Sequence, residues 1–194
     1  MSGPAAGALT PKPLRQDAAR NRHLLLEAAR TVFGQDGLET AVEDVARTAG
    51  LGTGTIYRHF ASKADLITAL VEDLSDQVEI SADTALLKKD GSGLWDFLYA
   101  AGEIQARNQG LLCRFWAGRA RAAQVASIRA KISRLVNAAH KHKTLPASVG
   151  QPDVLLVLHG LRGVIEANYE DRPDAWQRYL ELATIALKAG SKRK

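Results

Sequence analysis

The sequence predicts an all-α protein, and three observations carry that prediction. No proline occurs between Leu14 and Leu145, so the residue that most reliably interrupts a helix is missing from most of the chain. The same stretch is rich in Ala, Leu, Arg, Glu and Gln, which are good helix formers. It contains no sustained alternation of apolar and polar residues of the kind that marks strands.

A first helix is predicted over about residues 16–35. It follows an arm at residues 1–13 that is rich in glycine, alanine and proline and is expected to be flexible. Gly37 suits the residue that ends the helix. The apolar stripe of the helix consists of Leu25, Leu26, Ala29, Val32 and Phe33.

Two short helices joined by a tight turn are predicted next. Thr40 and Glu43 form the pattern of a capping box, with Thr40 as the N-cap of the first of these helices. Gly50 suits the left-handed residue that ends it. Only two residues precede the next helix, predicted over 53–60, and so short a connection suits helices that meet at a steep angle.

A long helix is predicted from Ser62, where Ser62 and Asp65 repeat the capping pattern, through Val78. Beyond it the segments become longer and amphipathic, with a loop at 144–152. The predicted helices of this part span about 94–108, 110–118, 120–142, 153–170 and 174–189.

The helical pair at residues 41–60 has the form of a helix-turn-helix, whose second helix can enter the major groove of DNA. On a helical wheel Ile56 and Phe60 face inward, so hydrogen-bonding side chains are left on the outside. The outward set is Thr53, Gly54, Thr55, Tyr57, Arg58 and His59. Spacing alone leaves open a surface helical hairpin with no role in DNA binding.

The residues of this region resemble the tetracycline-repressor (TetR) family of bacterial regulators. The resemblance rests on TAVEDVA at 40–46, AGLGTGTIYRHF at 49–60 and SKADL at 62–66, and it extends over roughly residues 16–70. The rest of the chain is similar to the family only in length and helical character. The resemblance implies a DNA-binding regulator rather than an isolated hairpin.

The resemblance also implies roles for individual residues. Thr53, Thr55, Tyr57 and His59 are the expected contacts of the recognition helix, and Lys63 is expected to bind a phosphate. Thr40, at a helix N-terminus that suits anions, is expected to be a second backbone anchor. The chain departs from the family at Gly52, where serine or threonine is usual, so one phosphate-bonding hydroxyl is missing.

Basic residues near the start of the chain extend the expected interface. The four are Lys12, Arg15, Arg20 and Arg22. Such side chains track phosphates or enter a minor groove. For Lys12 and Arg15 a solubilising tail is an equal alternative, whereas Arg20 and Arg22 lie on the first helix and are better candidates. The basic end at 191–194 is expected to be a frayed tail.

Composition narrows the class of protein further. The 194 residues carry a formal net charge of +5 and a pI near 9.5, which favours a polyanionic partner. The single cysteine, Cys113, excludes an intrachain disulfide framework. The longest aliphatic run, at 154–158, is far shorter than the roughly 20 residues of a membrane span. The first residues contain no apolar block, so we expect no secretory signal, no membrane association and a cytoplasmic location.

A small-molecule effector is expected in the C-terminal part, between its helices. The candidate lining residues are Trp95, Tyr99, Cys113, Trp116, His159 and Arg162. Acidic residues dominate 72–103 and only basic charges occur over 104–152. Two interpretations are open: the acidic and basic helices pair with each other, or some arginines bind an anionic effector. No metal set is completed, and we expect no cofactor and no enzymatic activity.

The last two predicted helices, at about 153–170 and 174–189, are the expected homodimer interface. The resemblance implies that they meet their symmetry mates as a four-helix bundle. The apolar stripes assigned to that interface are Leu155, Leu158, Leu161 and Ile165 with Leu180, Ala183 and Leu187.

The predicted organisation is an arm at 1–13, a helix-turn-helix DNA-binding domain at 14–62, a helical ligand-binding and dimerisation domain at 63–190, and a tail at 191–194. The expected function is a ligand-responsive transcriptional regulator, more a repressor than an activator, that binds a palindromic operator as a homodimer. The alternative is a helical small-molecule carrier or protein-interaction module without specific DNA binding.

Overall fold

Helices form all the regular secondary structure in the computed structural model, which describes residues 13–108, 122–168 and 171–190. The prediction of an all-α protein is confirmed over these residues. The helices are α1 (Pro13–Gln35), α2 (Val42–Thr48), α3 (Thr53–His59), α4 (Lys63–Leu86), α5 (Gly93–Arg107), α6 (Ala122–Lys141), α7 (Gln151–Asn168) and α8 (Ala175–Ala189). Residues 1–12 of the arm, the helix predicted over 110–118 and the basic tail lie outside the described residues, and Pro13, which was assigned to the arm, begins α1.

The chain divides into two compact units, residues 1–66 and residues 67–194. In the first unit α1 packs against α2 and α3. Apolar side chains from all three helices fill its core, and Leu25, Phe33, Val45 and Ile56 are completely buried. Burial of such side chains stabilises a fold by about 1.5–3 kcal/mol each, so these four fix α2 and α3 on α1.

The start of α2 differs from the prediction. Its N-cap is Ala41, which makes no side-chain capping bond, so the expected capping box of Thr40 and Glu43 is wrong. The Thr40 hydroxyl instead donates to the carbonyl of Gly37 at 2.9 Å and lies 3.1 Å from that of Asp36. The turn at the end of α1 therefore takes the hydroxyl that the pattern assigned to α2.

The start of α4 agrees with the prediction. The Ser62 hydroxyl oxygen accepts the backbone N–H of Asp65 at 3.1 Å, and the hydroxyl donates to the Asp65 carboxylate at 2.8 Å. This reciprocal pair satisfies one of the free N–H groups at the helix start. α4 then continues to Leu86, well beyond the predicted Val78.

The second unit is built on one apolar cluster to which α4, α5, α6, α7 and α8 all contribute. Small residues let the helices approach closely: a Cβ at Gly102 would lie 2.7 Å from the Trp176 ring, and one at Gly160 would lie 2.3 Å from the Tyr179 hydroxyl. The Tyr179 hydroxyl donates to the carbonyl of Val157 at 3.1 Å, which ties α8 to α7.

Oppositely charged helices pair within this unit. The Lys131 ammonium on α6 lies 2.9 Å from the Glu79 carboxylate and 2.7 Å from that of Asp83, both on α4. The two carboxylates raise the pKa of Lys131, chiefly through hydrogen bonds. At Lys131, therefore, the structure supports the first interpretation, in which basic and acidic helices pair, rather than a site for an anionic effector.

The structure buries five of the seven residues of the predicted dimer stripes inside a single chain and leaves Leu155 and Ala183 half-buried. Leu158, Leu161, Ile165 and Leu180 are at most 5% exposed, and Leu187 is 7% exposed. Side chains already buried in one protomer add almost no area to an interface, so assigning them to the dimer contact was wrong. α7 also begins at Gln151, so Pro152 lies in its first turn rather than in the predicted loop.

Candidate nucleic-acid interface

The turn between α2 and α3 holds the two helices in a fixed relation. Gly50 has a φ of +67°, the left-handed conformation that the sequence predicted there. Backbone hydrogen bonds close the turn, from the N–H of Gly50 to the carbonyl of Arg47 at 3.0 Å and from that of Leu51 to the carbonyl of Ala46 at 2.9 Å. α3 begins two residues later and packs on α2.

α3 has one buried and one open face, as the helical wheel predicted. Ile56 is completely buried, and Phe60, directly after the helix, is 5% exposed. The opposite face is polar and accessible, so it can contact another molecule while the inner face holds the helix in place. Thr53, Gly54, Tyr57 and Arg58 are exposed, and Thr55 and His59 are half-buried.

Tyr57 dominates the open face and is tied to α2. Its side chain is 49% exposed, and its hydroxyl donates to the Glu43 carboxylate at 3.3 Å. The charge of Glu43 opposes ionisation and raises the pKa of Tyr57 above its usual value. The phenol therefore stays neutral and keeps its proton as a hydrogen-bond donor.

Sequence reasoning missed Glu43 as a neighbour of Tyr57 because it assigned the carboxylate to the helix cap. Glu43 is exposed in the first turn of α2, fourteen residues from Tyr57. Only the crossing of the two helices brings these side chains together, and no local pattern encodes that crossing.

Two further predicted contacts lie at the edges of this surface. Lys63, half-buried at the first position of α4, has its ammonium 6.0 Å from the centre of the Phe33 ring. Arg22, exposed on α1, has its guanidinium 5.6 Å from the centre of the Phe60 ring. A cation in such a position is attracted to the ring, which partly fixes its orientation. Thr40 is half-buried, and its hydroxyl proton is used by the α1–α2 turn.

The first unit is not strongly basic. Residues 13–66 contain seven basic and seven acidic residues. Two of the carboxylates are neutralised locally, because Glu27 pairs with Arg30 and Asp44 pairs with Arg47. Attraction to a polyanion must then come from the placement of individual donors rather than from overall charge.

The candidate effector residues have separate surroundings in the second unit. Trp95 is half-buried and has the Lys188 ammonium 4.7 Å from its ring centre. Tyr99 is 38% exposed and His159 is exposed. Arg162 donates to Glu166 of the same helix at 2.8 Å. Cys113 and Trp116 lie outside the described residues.

A cavity of about 330 Å³ opens between α4 and α5. The Lys88–Asp96 ion pair, 2.7 Å long, lies at its edge. Its lining is Ser81, Thr84, Ala85, Lys88, Asp96 and Ala100, and it includes no candidate effector residue.

The described residues contain no group of three His, Cys, Asp or Glu side chains able to hold a metal ion. Nor is any helix among them long and apolar enough to cross a membrane.

The same region is similar in sequence to known bacterial transcriptional regulators. A sequence model for bacterial regulatory proteins of the tetR family matches residues 25–70. An HTH-type transcriptional regulator of Staphylococcus aureus (strain USA300) is 37% identical over 60 residues, which are 30% of this chain and 32% of that protein. The match thus spans about a third of the length of this curated relative.

Solved structures extend the likeness to most of the chain. A TetR transcription regulatory protein from Mycobacterium vanbaalenii is 32% identical, with a TM-score of 0.64, over 80% of this chain and 96% of that one. LfrR from Mycobacterium smegmatis, solved in complex with proflavine, is 18% identical, with a TM-score of 0.62, over 92% of this chain and 99% of that one. The second likeness concerns the fold alone.

Proposed function

The chain belongs to the TetR family of bacterial helix-turn-helix transcriptional regulators, which are not enzymes, and we propose that it is a ligand-released repressor that binds a palindromic operator as a homodimer. The proposed DNA contacts are Thr40, Thr53, Gly54, Thr55, Tyr57, Arg58, His59 and Lys63. A repressor acts where the chromosome is, so the proposal includes a cytoplasmic location.

The observation that carries this proposal is the division of α3 into two faces. Ile56 and Phe60 anchor the helix, while Thr53, Tyr57 and Arg58 project from it. Threonine and arginine side chains bond both base edges and phosphates, and the neutral Tyr57 hydroxyl can donate to a phosphate oxygen when it exchanges its bond to Glu43 for one to DNA. Because the unit is formally neutral over residues 13–66, binding on this scheme depends on these few donors rather than on bulk charge.

Homodimerisation is proposed through the outer faces of α7 and α8. Three large apolar side chains remain exposed there in the single chain: Leu156 at 70%, Leu182 at 52% and Ile185 at 64%. Apolar side chains so exposed are typical of a surface that a partner covers. A two-fold axis through this surface would present two α3 helices to the two halves of a palindrome, about one helical turn apart.

A small-molecule effector is proposed to bind the second unit. The residues proposed to contact it are Trp95, Tyr99, His159 and Arg162, with Cys113 and Trp116 from outside the described residues. LfrR, which shares the fold, was solved in complex with proflavine. A hundredfold loss of operator affinity requires about 2.7 kcal/mol of coupling, which is ordinary for allosteric proteins. α4 begins in the first unit and ends in the second, so it provides a covalent route for that coupling.

The experiment begins with footprinting of the purified protein on the DNA that flanks its own coding region. The protected duplex is then titrated by fluorescence anisotropy with wild type, Thr53→Ala and Tyr57→Ala. Each substitution removes a polar contact in both protomers, so we expect at least a tenfold loss of affinity with the circular dichroism spectrum unchanged.

The matched control is Thr31→Ala, which makes the same change at an exposed site on α1. It should leave the affinity unaltered. If Tyr57→Ala binds as tightly as wild type, α3 does not read the operator. If wild type binds all duplexes equally and weakly, the carrier or interaction module becomes the better description.

A further inference from the structure

Three polar side chains are buried among the described residues, and two of them have an unmet hydrogen-bonding atom. Ser75, Gln105 and Asn108 are 1%, 6% and 3% exposed. The Ser75 hydroxyl donates to the carbonyl of Val71 at 2.9 Å and is satisfied. The side-chain oxygens of Gln105 and Asn108 have no hydrogen-bond partner. An amide oxygen in this state destabilises the fold, so its retention calls for an explanation.

The orientation of the Asn108 amide is set by a second bond. Its Nδ2 donates to the carbonyl of Ile104 at 2.8 Å. Turning the amide over would place its oxygen against that carbonyl oxygen, so the observed orientation is the favourable one. The Asn108 nitrogen therefore bonds the Ile104 carbonyl, and the Asn108 oxygen is directed away from that carbonyl.

Gln105, in the last turn of α5, and Asn108, directly after the helix, continue the line of α5 that faces the core. The same line carries Leu94, Leu98 and Ala101, which are at most 3% exposed. Side chains three residues apart on a helix are neighbours, with Cβ atoms about 5–6 Å apart. The two residues thus bring two unpartnered amide oxygens to the end of an otherwise apolar stripe.

We propose that Gln105 and Asn108 are the polar anchor of the effector site, and that they bind an uncharged, largely apolar molecule with two hydrogen-bond donors. This inference rests on the proposal that the second unit binds a small molecule. Two acceptors require N–H or O–H donors on the ligand. No charged side chain is buried among the described residues, so a buried ionic ligand would lack a counter-charge there.

The two anchor residues are not among the aromatic and charged residues that sequence reasoning assigned to the effector. Those residues were chosen because aromatic rings line many ligand sites. Gln105 and Asn108 carry no such signal in the sequence, since glutamine and asparagine are usually exposed. Only their burial and their unmet oxygens single them out.

The first arm of the test needs no ligand. Gln105→Met keeps the size and helix propensity of the side chain and removes the amide, both its oxygen and its nitrogen. Loss of an unpartnered buried acceptor is expected to raise the thermal midpoint by at least about 2 °C. Gln35→Met makes the same change at an exposed site on α1 and should shift the midpoint little. An unchanged or lowered midpoint for Gln105→Met overturns the proposal, because the oxygen then has a partner in the free protein.

The second arm uses resorcinol, an uncharged ring with two hydroxyl donors, and 1,3-dimethoxybenzene, which has the same core without donors. Calorimetric titration of wild type should show that resorcinol binds at least tenfold more tightly than its ether. Gln105→Met and Asn108→Leu should each reduce the affinity for resorcinol about tenfold and leave that for the ether unchanged.

Equal binding of the two compounds to wild type, or no binding of either, overturns the two-donor anchor. Operator affinity of the wild type is measured in the same buffer in the absence of probe. A failure of DNA binding in wild type would refute the proposed function, whereas a failure of the probe experiment alone refutes only this site.

Discussion

Gly52 lies at the N-cap of α3, and replacing it by serine is expected to strengthen both the fold and DNA binding. Gly52 has a φ of −70° and a ψ of 147°, a conformation open to any residue, and it provides no side-chain cap. A Cβ added there would meet nothing within 4 Å. Gly52→Ser should therefore introduce a hydroxyl without strain.

Ser62 shows in the same chain what the new hydroxyl would do. Its oxygen accepts the N–H of the residue three positions on, at 3.1 Å. In α3 the corresponding N–H, of Thr55, already donates to the carbonyl of Gly52 at 2.8 Å, so a serine hydroxyl at 52 would share that donor. The capping gain over glycine is a few tenths of a kcal/mol, and the lower entropy of the unfolded chain adds about 0.4–1 kcal/mol. A total of about 1 kcal/mol corresponds to a rise of about 2–4 °C in Tm.

The effect on DNA binding follows from the proton that the new hydroxyl still has to donate. A hydrogen bond to a phosphate from each protomer contributes about 1 kcal/mol, so a dimer gains about 2 kcal/mol, or about thirtyfold in affinity. Anisotropy titration against the footprinted duplex measures the affinity, and differential scanning calorimetry measures Tm.

Gly34→Ser is the matched control, since a Cβ at Gly34 in α1 also meets nothing within 4 Å. It should raise Tm through helix propensity and leave DNA affinity unchanged. Were both variants to bind DNA equally, the N-cap of α3 would not face a phosphate. A lower Tm for Gly52→Ser would contradict the open space found around this residue.

Four other changes probe separate parts of the molecule. Lys63→Gln should reduce the slope of log K against log salt concentration by about 1.8 per dimer, because two phosphate contacts are lost; an unaltered slope would remove this lysine from the interface. Glu43→Gln should bring the pKa of Tyr57 down toward its ordinary value, because the carboxylate that opposes ionisation is gone; NMR titration of the labelled ring checks this. Ile185→Glu should convert the proposed dimer to a folded monomer, since the side chain is 64% exposed in the single chain; sedimentation equilibrium measures the molecular mass that decides this. Gly93→Ala should lower the free energy of unfolding, measured with urea, by about 2–3 kcal/mol or more, because the added Cβ would lie 2.1 Å from a backbone carbonyl oxygen of α4.

The helices of the described residues were predictable because their signals are local. The observed bounds of α1, α5 and α6 lie within three residues of the predicted ones. Gly50 and Ser62 also behave as their types suggest, since a left-handed turn and a serine cap each depend on a few neighbouring residues. Thr40 did not, because two carbonyls at the end of α1 compete for its hydroxyl.

The sequence predicted which residues lie on the exposed face of α3, but it did not predict the contacts that those residues make. The helical periodicity and the residue types correctly predicted that Ile56 is buried and that Tyr57 is exposed. The contact between Tyr57 and Glu43 depends on how α2 crosses α3, and the sequence assigned Glu43 to another role.

In the second unit, the sequence did not predict which surface covers the leucines of α7. A stripe of leucines predicts that one face of α7 is buried, but periodicity does not state which surface covers it. The fold buries Leu158 and Leu161 inside the protomer and leaves Leu156 outside.

By itself, the sequence determined the helical class of this protein, the positions of most helix ends, the regulator family and the two faces of α3. All of these follow from the order and spacing of nearby residues. The tertiary structure decided which apolar faces are internal, which carboxylate meets Tyr57 and which amide oxygens at the end of α5 are buried without a partner. These features depend on contacts between segments far apart in the chain, and the packing of whole helices sets such contacts.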